Sequence, residues 1–192
     1  REIVQSLKNF SRMNESEIRA VDIHDGIEST LLILRHKLKE KRGYSEIELI
    51  KEYGEFPKVR CYPGQLNQVL MNLIVNAIDA LEEKRIKKNR DRSQESPLIQ
   101  IHTEFKQYDR ADGRDTSYVV IRIVDNGTGM TEDIRRRLFD PFFTTKPLGK
   151  GTGLGLSISH QIIVENHKGK LSVQSELGQG CEFIIELPVE MG

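Results

Sequence analysis

Several features are scarce or missing in this chain, and each absence removes a class of answer. Net charge is missing: Lys and Arg together number 29, as do Asp and Glu, so no overall field draws the protein to nucleic acid or to a membrane surface. Long apolar runs are missing too. None approaches the ~20 residues that span a bilayer, and no secretory signal peptide is visible. Cysteine is reduced to Cys61 and Cys181, far apart and without metal-ligand spacing. That fits a reducing compartment and a structural role better than a disulfide framework. No internal repeat is present. What remains is enough for one domain with a full hydrophobic core in 192 residues. Arg1 opens in the middle of a helical pattern, so the sequence is expected to be a piece of something longer.

That first pattern places Ile3, Val4, Leu7 and Phe10 at helical spacing, followed by the polar stretch Asn14-Glu15-Ser16-Glu17. It reads as the end of an amphipathic helix and a linker. A second helix is expected over residues 23–39, with Ile23, Ile27, Leu31, Leu34 and Leu38 along one stripe. The pair His24-Asp25 invites a catalytic reading, but Gly26 follows it and the spacing supplies no partner face. Residues 47–53 alternate as a strand should, and Val59-Arg60-Cys61 adds a short one.

Pro63 then stands where a first helical residue is favoured, and a helix is expected to run to about Arg85. Its core face is Leu66, Val69, Leu70, Leu73, Ile74, Ala77 and Leu81. Opposite lies a thin stripe of Gln65, Gln68, Asn72, Asn76, Asp79 and Glu83, flanked by apolar Met71 and Val75. A solvated face is normally wider and charged. This one is narrow and rich in amides, as if it lined a cleft. Residues 82–97, of mixed charge and without aromatics, read as a solvated helix end and loop rather than an RNA contact.

Residues 98–105 and 118–124 form a predicted hairpin whose long loop contains Asp112-Gly113. Period-two alternation puts Val119, Ile121, Ile123 and Asp125 on one face, which must pack on the helices. Asp125 therefore continues a buried apolar row as a carboxylate. A buried charge without a partner is costly, so something must donate hydrogen bonds to it, and a ligand is a good candidate. Thr131 can cap a helix over residues 132–139 that Pro141 ends. A further amphipathic helix over 154–166 stops near Gly169. Strands over 171–175 and 181–187 close the chain, turned by Leu177-Gly178-Gln179-Gly180, with Cys181, Phe183, Ile185 and Leu187 pointing inward. The sum is an α+β fold: a two-layer α/β sandwich, with a mixed, mostly antiparallel sheet and helices on one face.

Two glycine-rich clusters flank a lysine-bearing loop between residues 125 and 157. Asp125-Asn126-Gly127 alone could be a hairpin turn, but a helix follows it rather than a returning strand. Gly151-Thr152-Gly153-Leu154-Gly155 alone could suggest a dinucleotide fold, but Thr144-Thr145-Lys146-Pro147 stands where the required strand should be. Lys150 is followed by Gly151, which excludes a phosphate loop of the Gly-Lys-Ser/Thr kind. His-Arg-Asp and Asp-Phe-Gly motifs of eukaryotic-type kinases are absent.

Taken together, four motifs resemble a known family in order. Asn72-Leu-Ile-Val-Asn76-Ala77, Asp125-Asn-Gly-Thr-Gly129, Phe139-Asp-Pro-Phe-Phe143 and Gly151-Thr-Gly-Leu-Gly155-Leu resemble the asparagine, first glycine, phenylalanine and second glycine boxes of sensor histidine kinases. The resemblance runs from about Val21 to Pro188. It implies a Bergerat-type ATP-binding catalytic domain over residues 21–192, preceded over 1–20 by the end of a dimerisation helix and a linker. It also implies that Asp125 accepts the adenine amino group and that Gly127 and Gly129 let backbone approach the base closely. Asn76 would offer its amide oxygen to Mg²⁺, with Asn72 one turn earlier holding phosphate or its water. Gly151, Thr152, Gly153, Leu154, Gly155 and Leu156 would lie along the phosphates at a helix start. Lys146 and Lys150 would clamp the γ-phosphate, and Met130 and Phe143 complete the expected nucleotide contacts. Phe142 and Phe143 fit a hinge for the intervening loop and fit plain core packing equally well.

Two positions depart from the family pattern: Asp79 where a lysine is frequent, and Cys181 where a threonine is common. Phosphate neutralisation would then rest more on the loop lysines. The same fold serves gyrase, chaperone and mismatch-repair ATPases, in which a glutamate one turn before the magnesium asparagine activates water. Here Asn72 holds that position and has no useful basicity, which favours phosphoryl transfer to a protein over hydrolysis. The implied partners are a dimerisation and histidine-phosphotransfer domain, a second copy of the full-length protein, and a response-regulator receiver domain. The domain is expected to be cytoplasmic, touching neither nucleic acid nor membrane. The alternatives are an ATPase of the same superfamily or a scaffold that does not use nucleotide.

Overall fold

A computed structural model of the chain describes residues 17–39, 46–88, 95–108, 116–146 and 151–190. The predicted helix at residues 1–13, the Asp112-Gly113 turn and Lys150 lie outside the described residues. Strand β1 (Arg19–Val21) leads into helix α1 (Ile23–Leu38), strands β2 (Glu48–Tyr53) and β3 (Val59–Cys61), and the long helix α2 (Pro63–Lys88). Strands β4 (Leu98–Tyr108) and β5 (Thr116–Asp125) follow. Then come a short helix α3 (Glu132–Arg137), helix α4 (Gly155–His160), and strands β6 (Lys170–Glu176) and β7 (Gly180–Pro188).

The main sheet has five strands in the order β2-β4-β5-β7-β6. β2 pairs with β4 in parallel and every other pairing in that sheet is antiparallel. The helices cover one face, so the α+β sandwich expected from the pattern is the fold observed. Register aligns the inward-facing residues in rows across the strands. Ile101, Ile123, Phe183 and Val173 form one such row. The next, at the end of β5, holds Ile99, Asp125, Cys181 and Ser175.

Helix α1 begins where Asp22 accepts a hydrogen bond from the His24 amide, 2.9 Å away, and its stripe Ile23, Ile27, Leu31, Leu34 and Leu38 is buried. Gly26 in its interior is explained by a close approach: a Cβ there would lie 2.5 Å from Asn67 Oδ1 of α2. His24 proves structural. It stacks on Tyr53 with ring centroids 4.4 Å apart, and its Nε2 lies 2.9 Å from Thr103 Oγ1. Along α2 every residue assigned to the core face is buried, joined by Ile78.

Four features differ from the sequence pattern. Arg19–Val21 form a strand, pairing with β3 in a separate two-stranded sheet. Helix α3 stops at Arg137, two residues before Phe139, as Leu138 turns into the core at 3% exposure. Val120 and Ile184, on the face of the sheet away from the helices, are nonetheless buried. The predicted helix 154–166 changes character: α4 continues as π-helical turns over Gln161–Asn166.

His167 closes those turns, with its amide donating to Ile162 O at 3.1 Å. Its ring is 1% exposed. Nδ1 faces Ile162 O at 2.8 Å, and Nε2 accepts the Tyr62 N–H at 3.0 Å. Those partners require a neutral imidazole protonated at Nδ1, tying the start of α2 to the end of the helical segment. Burial holds its pKa below the ordinary 6.5. A group whose folded pKa is depressed stabilises the native state above its unfolded pKa, and that contribution is lost as pH falls. The stability advantage of wild type over His167→Gln should therefore narrow between about pH 7.5 and about pH 5.5, as checked by thermal melts of both proteins. A gap that stays constant would remove His167 from this role.

Candidate functional site

Three elements meet beside the amide stripe of α2. From α2 come Asn72, Asn76 and Asp79, all half-buried. From the end of β5 comes Asp125, 5% exposed. The third wall is formed by residues 139–146 and 151–155, closing onto α2 at the start of α4.

Glycine is demanded in that wall by contacts within the protein. At Gly155 a Cβ would fall 2.4 Å from Asn72 Oδ1, and at Gly153, where φ is +66°, it would fall 2.4 Å from the Phe142 carbonyl carbon. The same holds at the first glycine cluster. A Cβ on Gly127 would meet Ala80 Cβ at 2.8 Å, and one on Gly129, at φ +63°, would overlap the Glu176 carbonyl of the β6–β7 hairpin. At both glycines the turn therefore lies against other protein atoms with no room for a side chain. Glycine seats the turn against α2 and against the hairpin.

Asn72 and Lys146 also find protein partners. Asn72 Nδ2 donates to Ser159 Oγ at 2.9 Å, stitching α2 to α4. Lys146 Nζ donates to Asp79 Oδ2 at 2.6 Å and to Asn76 Oδ1 at 3.3 Å. Thr144 Oγ1 accepts the Lys146 amide at 3.1 Å, and Thr152 Oγ1 accepts that of Leu154 at 3.4 Å. Met130 is placed by its own amide, which donates to Ser175 Oγ at 2.9 Å. Leu156 packs against the core edge. Phe143 lies under the Arg137 guanidinium, 4.5 Å from the ring centroid. Phe142 is 74% exposed with φ +65°, which rules out plain core packing for that ring.

Asp125 is where the arrangement is least satisfied. Its Oδ1 accepts the Gly127 N–H at 2.8 Å. Its Oδ2 receives no hydrogen bond from the described residues, and no enclosed side-chain oxygen or nitrogen lacks a partner, so Oδ2 must face an opening. The acid at the end of the buried row thus keeps acceptor capacity that the described residues do not use.

The comparisons with known proteins agree on the family. Residues 61–191 match the family described as histidine kinase-, DNA gyrase B- and HSP90-like ATPase. The chain belongs to that family. It is also similar to the sensor kinase CckA of Brucella abortus, 35% identical over 188 residues, spanning 97% of this chain but 18% of that protein's length. Among solved structures it resembles the nucleotide-free catalytic domain of histidine kinase ThkA, at 28% identity and a TM-score of 0.68, covering 90% of this chain and 96% of that one. ThkA solved with the response regulator TrrA matches at 26% identity and a TM-score of 0.66, covering 98% of this chain and 47% of that one. The family match starts at the last residue of β3, leaving β1, α1 and β2 outside it.

Within this ATPase-family fold, two residues escaped the sequence pattern. Asn126 braces the turn: Oδ1 accepts the Leu98 amide and Nδ2 donates to Ser96 O, both at 2.9 Å. Lys84 falls in the run read as solvated, yet its side chain is only 16% exposed. Its ammonium donates to Asn126 O and, at 3.5 Å, to Gly178 O, joining the turn after β5 to the β6–β7 hairpin. Its position eight residues after Asn76, on the same helical face, was the available signal.

Burial lifts the Asp125 pKa from 3.8 to about 6, against the opposing pull of the Gly127 N–H and the Lys84 charge. Cys181, its cross-strand neighbour, is pushed up to about 12 by burial and by that carboxylate, and so stays a thiol. A folded pKa raised above the unfolded one means that the native state holds the proton more tightly. The resulting stability is present below about pH 4 and is lost as pH rises through about 6. At pH 7.5 the ionised acid is therefore a burden, and Asp125→Asn should stabilise the empty protein by up to about 3 kcal/mol. Denaturant melts at pH 7.5 and pH 4 should show that gain shrinking at the acid end.

Proposed function

We propose that this chain is the catalytic, ATP-binding domain of a two-component sensor histidine kinase. It transfers the γ-phosphate to a histidine on a dimerisation domain, for relay to a response-regulator aspartate. The observation that carries the reading is the free oxygen of Asp125, kept at a cost to stability beside the amide stripe of α2. Adenine offers that oxygen an amino donor, and burial makes the pairing selective because a base lacking the donor leaves the acid unmatched.

Asn76 and its surroundings fit a hard divalent cation. Its Oδ1 already faces a positive charge, and Asp79 Oδ2 lies next to it. Oxygen donors of this kind suit Mg²⁺, which keeps its waters and relies on substrate phosphates for the rest of its shell. Bound there, the ion would neutralise phosphate charge. The chain's own groups would position the nucleotide: Asp125 at the base, with Met130 and Phe143 nearby, and Asn72, Lys146, Lys150 and the backbone of Gly151–Leu156 toward the phosphates. Such catalysis is mostly orientation and charge compensation.

Phosphoryl transfer is favoured over hydrolysis because Asn72 has no basicity and its amide is bonded to Ser159. Similarity to sensor kinases supports the same choice. The ThkA–TrrA complex supports a receiver domain as downstream partner. The full-length protein would act as a homodimer, with this domain cytoplasmic. Its charge balance offers no handle for nucleic acid, and among the described residues no helix is long and apolar enough to cross a membrane.

ATP affinity should climb as pH rises through about 6 and level off above it, following ionisation of Asp125. Calorimetric titrations across that range should show the slope, and Asp125→Asn should abolish both slope and tight binding. Incubated with labelled ATP by itself, the chain should stay unlabelled. With the helical hairpin of its parent protein added, that hairpin should gain an acid-labile phosphohistidine. Steady phosphate release without any acceptor would point instead to an ATPase.

A further inference from the structure

The ion pair between Asp79 and Lys146 is not accounted for by the nucleotide reading. Asp79 lies three residues after Asn76, so both side chains leave α2 on one face. Between them sits one ammonium: Lys146 Nζ is 2.6 Å from Asp79 Oδ2 and 3.3 Å from Asn76 Oδ1. Both charged side chains are about a third exposed, at 35% and 33%. An exposed pair of this kind contributes little to stability, so fold stability alone does not account for the arrangement. The oxygens involved are those that a hard divalent cation would choose. A lysine ammonium and a divalent ion at the same oxygens repel strongly across a few ångströms, so one must leave before the other can bind.

We propose that Lys146 is a built-in placeholder for the divalent cation, held by Asp79 on Asn76 Oδ1 until metal and nucleotide arrive together. Asp79 is then a positioning residue. It parks the lysine while the site is empty and keeps a lone divalent ion from settling on Asn76. When a metal–nucleotide complex enters, the cation takes Asn76 Oδ1, and the released ammonium finds compensating charge on the phosphates. Free metal offers no such charge, so it competes poorly; metal bound to nucleotide brings its own. This inference rests on the nucleotide reading of the site but makes a claim about the empty protein.

The test uses Mn²⁺ alone as the probe, with binding followed by loss of the free-ion paramagnetic resonance signal. Lys146→Met and Lys146→Gln should each bind Mn²⁺ on the order of tenfold more tightly than wild type, since the competing cation is gone. Lys146→Met combined with Asn76→Ala should lose that gain, because the vacated oxygen is then missing. Equal Mn²⁺ affinity in wild type and both lysine variants would overturn the proposal. So would loss of folding in both, seen by circular dichroism, because the lysine would then be a structural requirement. Calorimetry with ADP separates the two ideas. Tight, Asp125-dependent ADP binding without the Mn²⁺ gain sinks the placeholder alone, whereas no ADP binding by wild type sinks the nucleotide site itself.

Discussion

Asp125 extends a row of buried side chains, Val119, Ile121 and Ile123, with a group that water would solvate far better. Much of the surrounding structure serves to hold that carboxylate in place without fully satisfying it. Gly127 turns its amide onto one oxygen. Ala80 packs so tightly against the turn that only glycine fits there. Asn126 fastens the turn to the start of β4, and Lys84 fastens it to the β6–β7 hairpin. The second oxygen is left to the cleft. A protein optimised only for stability would place an apolar residue in this row.

Helix α2 joins this acid to the rest of the site because its two faces have different duties. One face fills the core with Leu66, Val69, Leu70, Leu73, Ile74, Ala77 and Leu81. The other carries Asn72, Asn76 and Asp79 past the end of β5. Since the core face fixes the rotation of the helix, the amides need no flexible loop to reach their positions. These groups are engaged with one another across the elements, Asn72 with Ser159 and Asn76 with Lys146. On the proposed reading, a ligand would therefore have to exchange partners with these polar side chains.

What could be read from the sequence was whatever repeats with a short period. The stripes of α1 and α2 and the alternating faces of β5 and β7 follow from local spacing, and with them came the sandwich, the buried acid and the amide line. Features that depend on a distant partner were not legible. Arg19–Val21 are a strand only because Val59–Cys61 lie alongside. The π-helical turns at Gln161–Asn166 depend on His167 reaching back to Ile162 and across to Tyr62. Lys84 sat in a charged run whose composition resembles any solvated helix end. The spacing of the glycines could not show that Glu176 and Phe142 backbone crowds them from within the protein.

The way α2 divides its faces also limits how chains of this design can change length. One residue inserted between Leu70 and Asn76 would rotate everything after it by about 100°, swinging the amides away from Asp125 or the leucines out of the core. Among the described residues of β4 and β5, the end away from Asp125 carries no such constraint. There Tyr108 pairs with Thr116, at the opposite end of the register. Insertions and deletions among descendants of this sequence should therefore accumulate at the hairpin tip, while the residue count between Pro63 and Lys84 stays fixed.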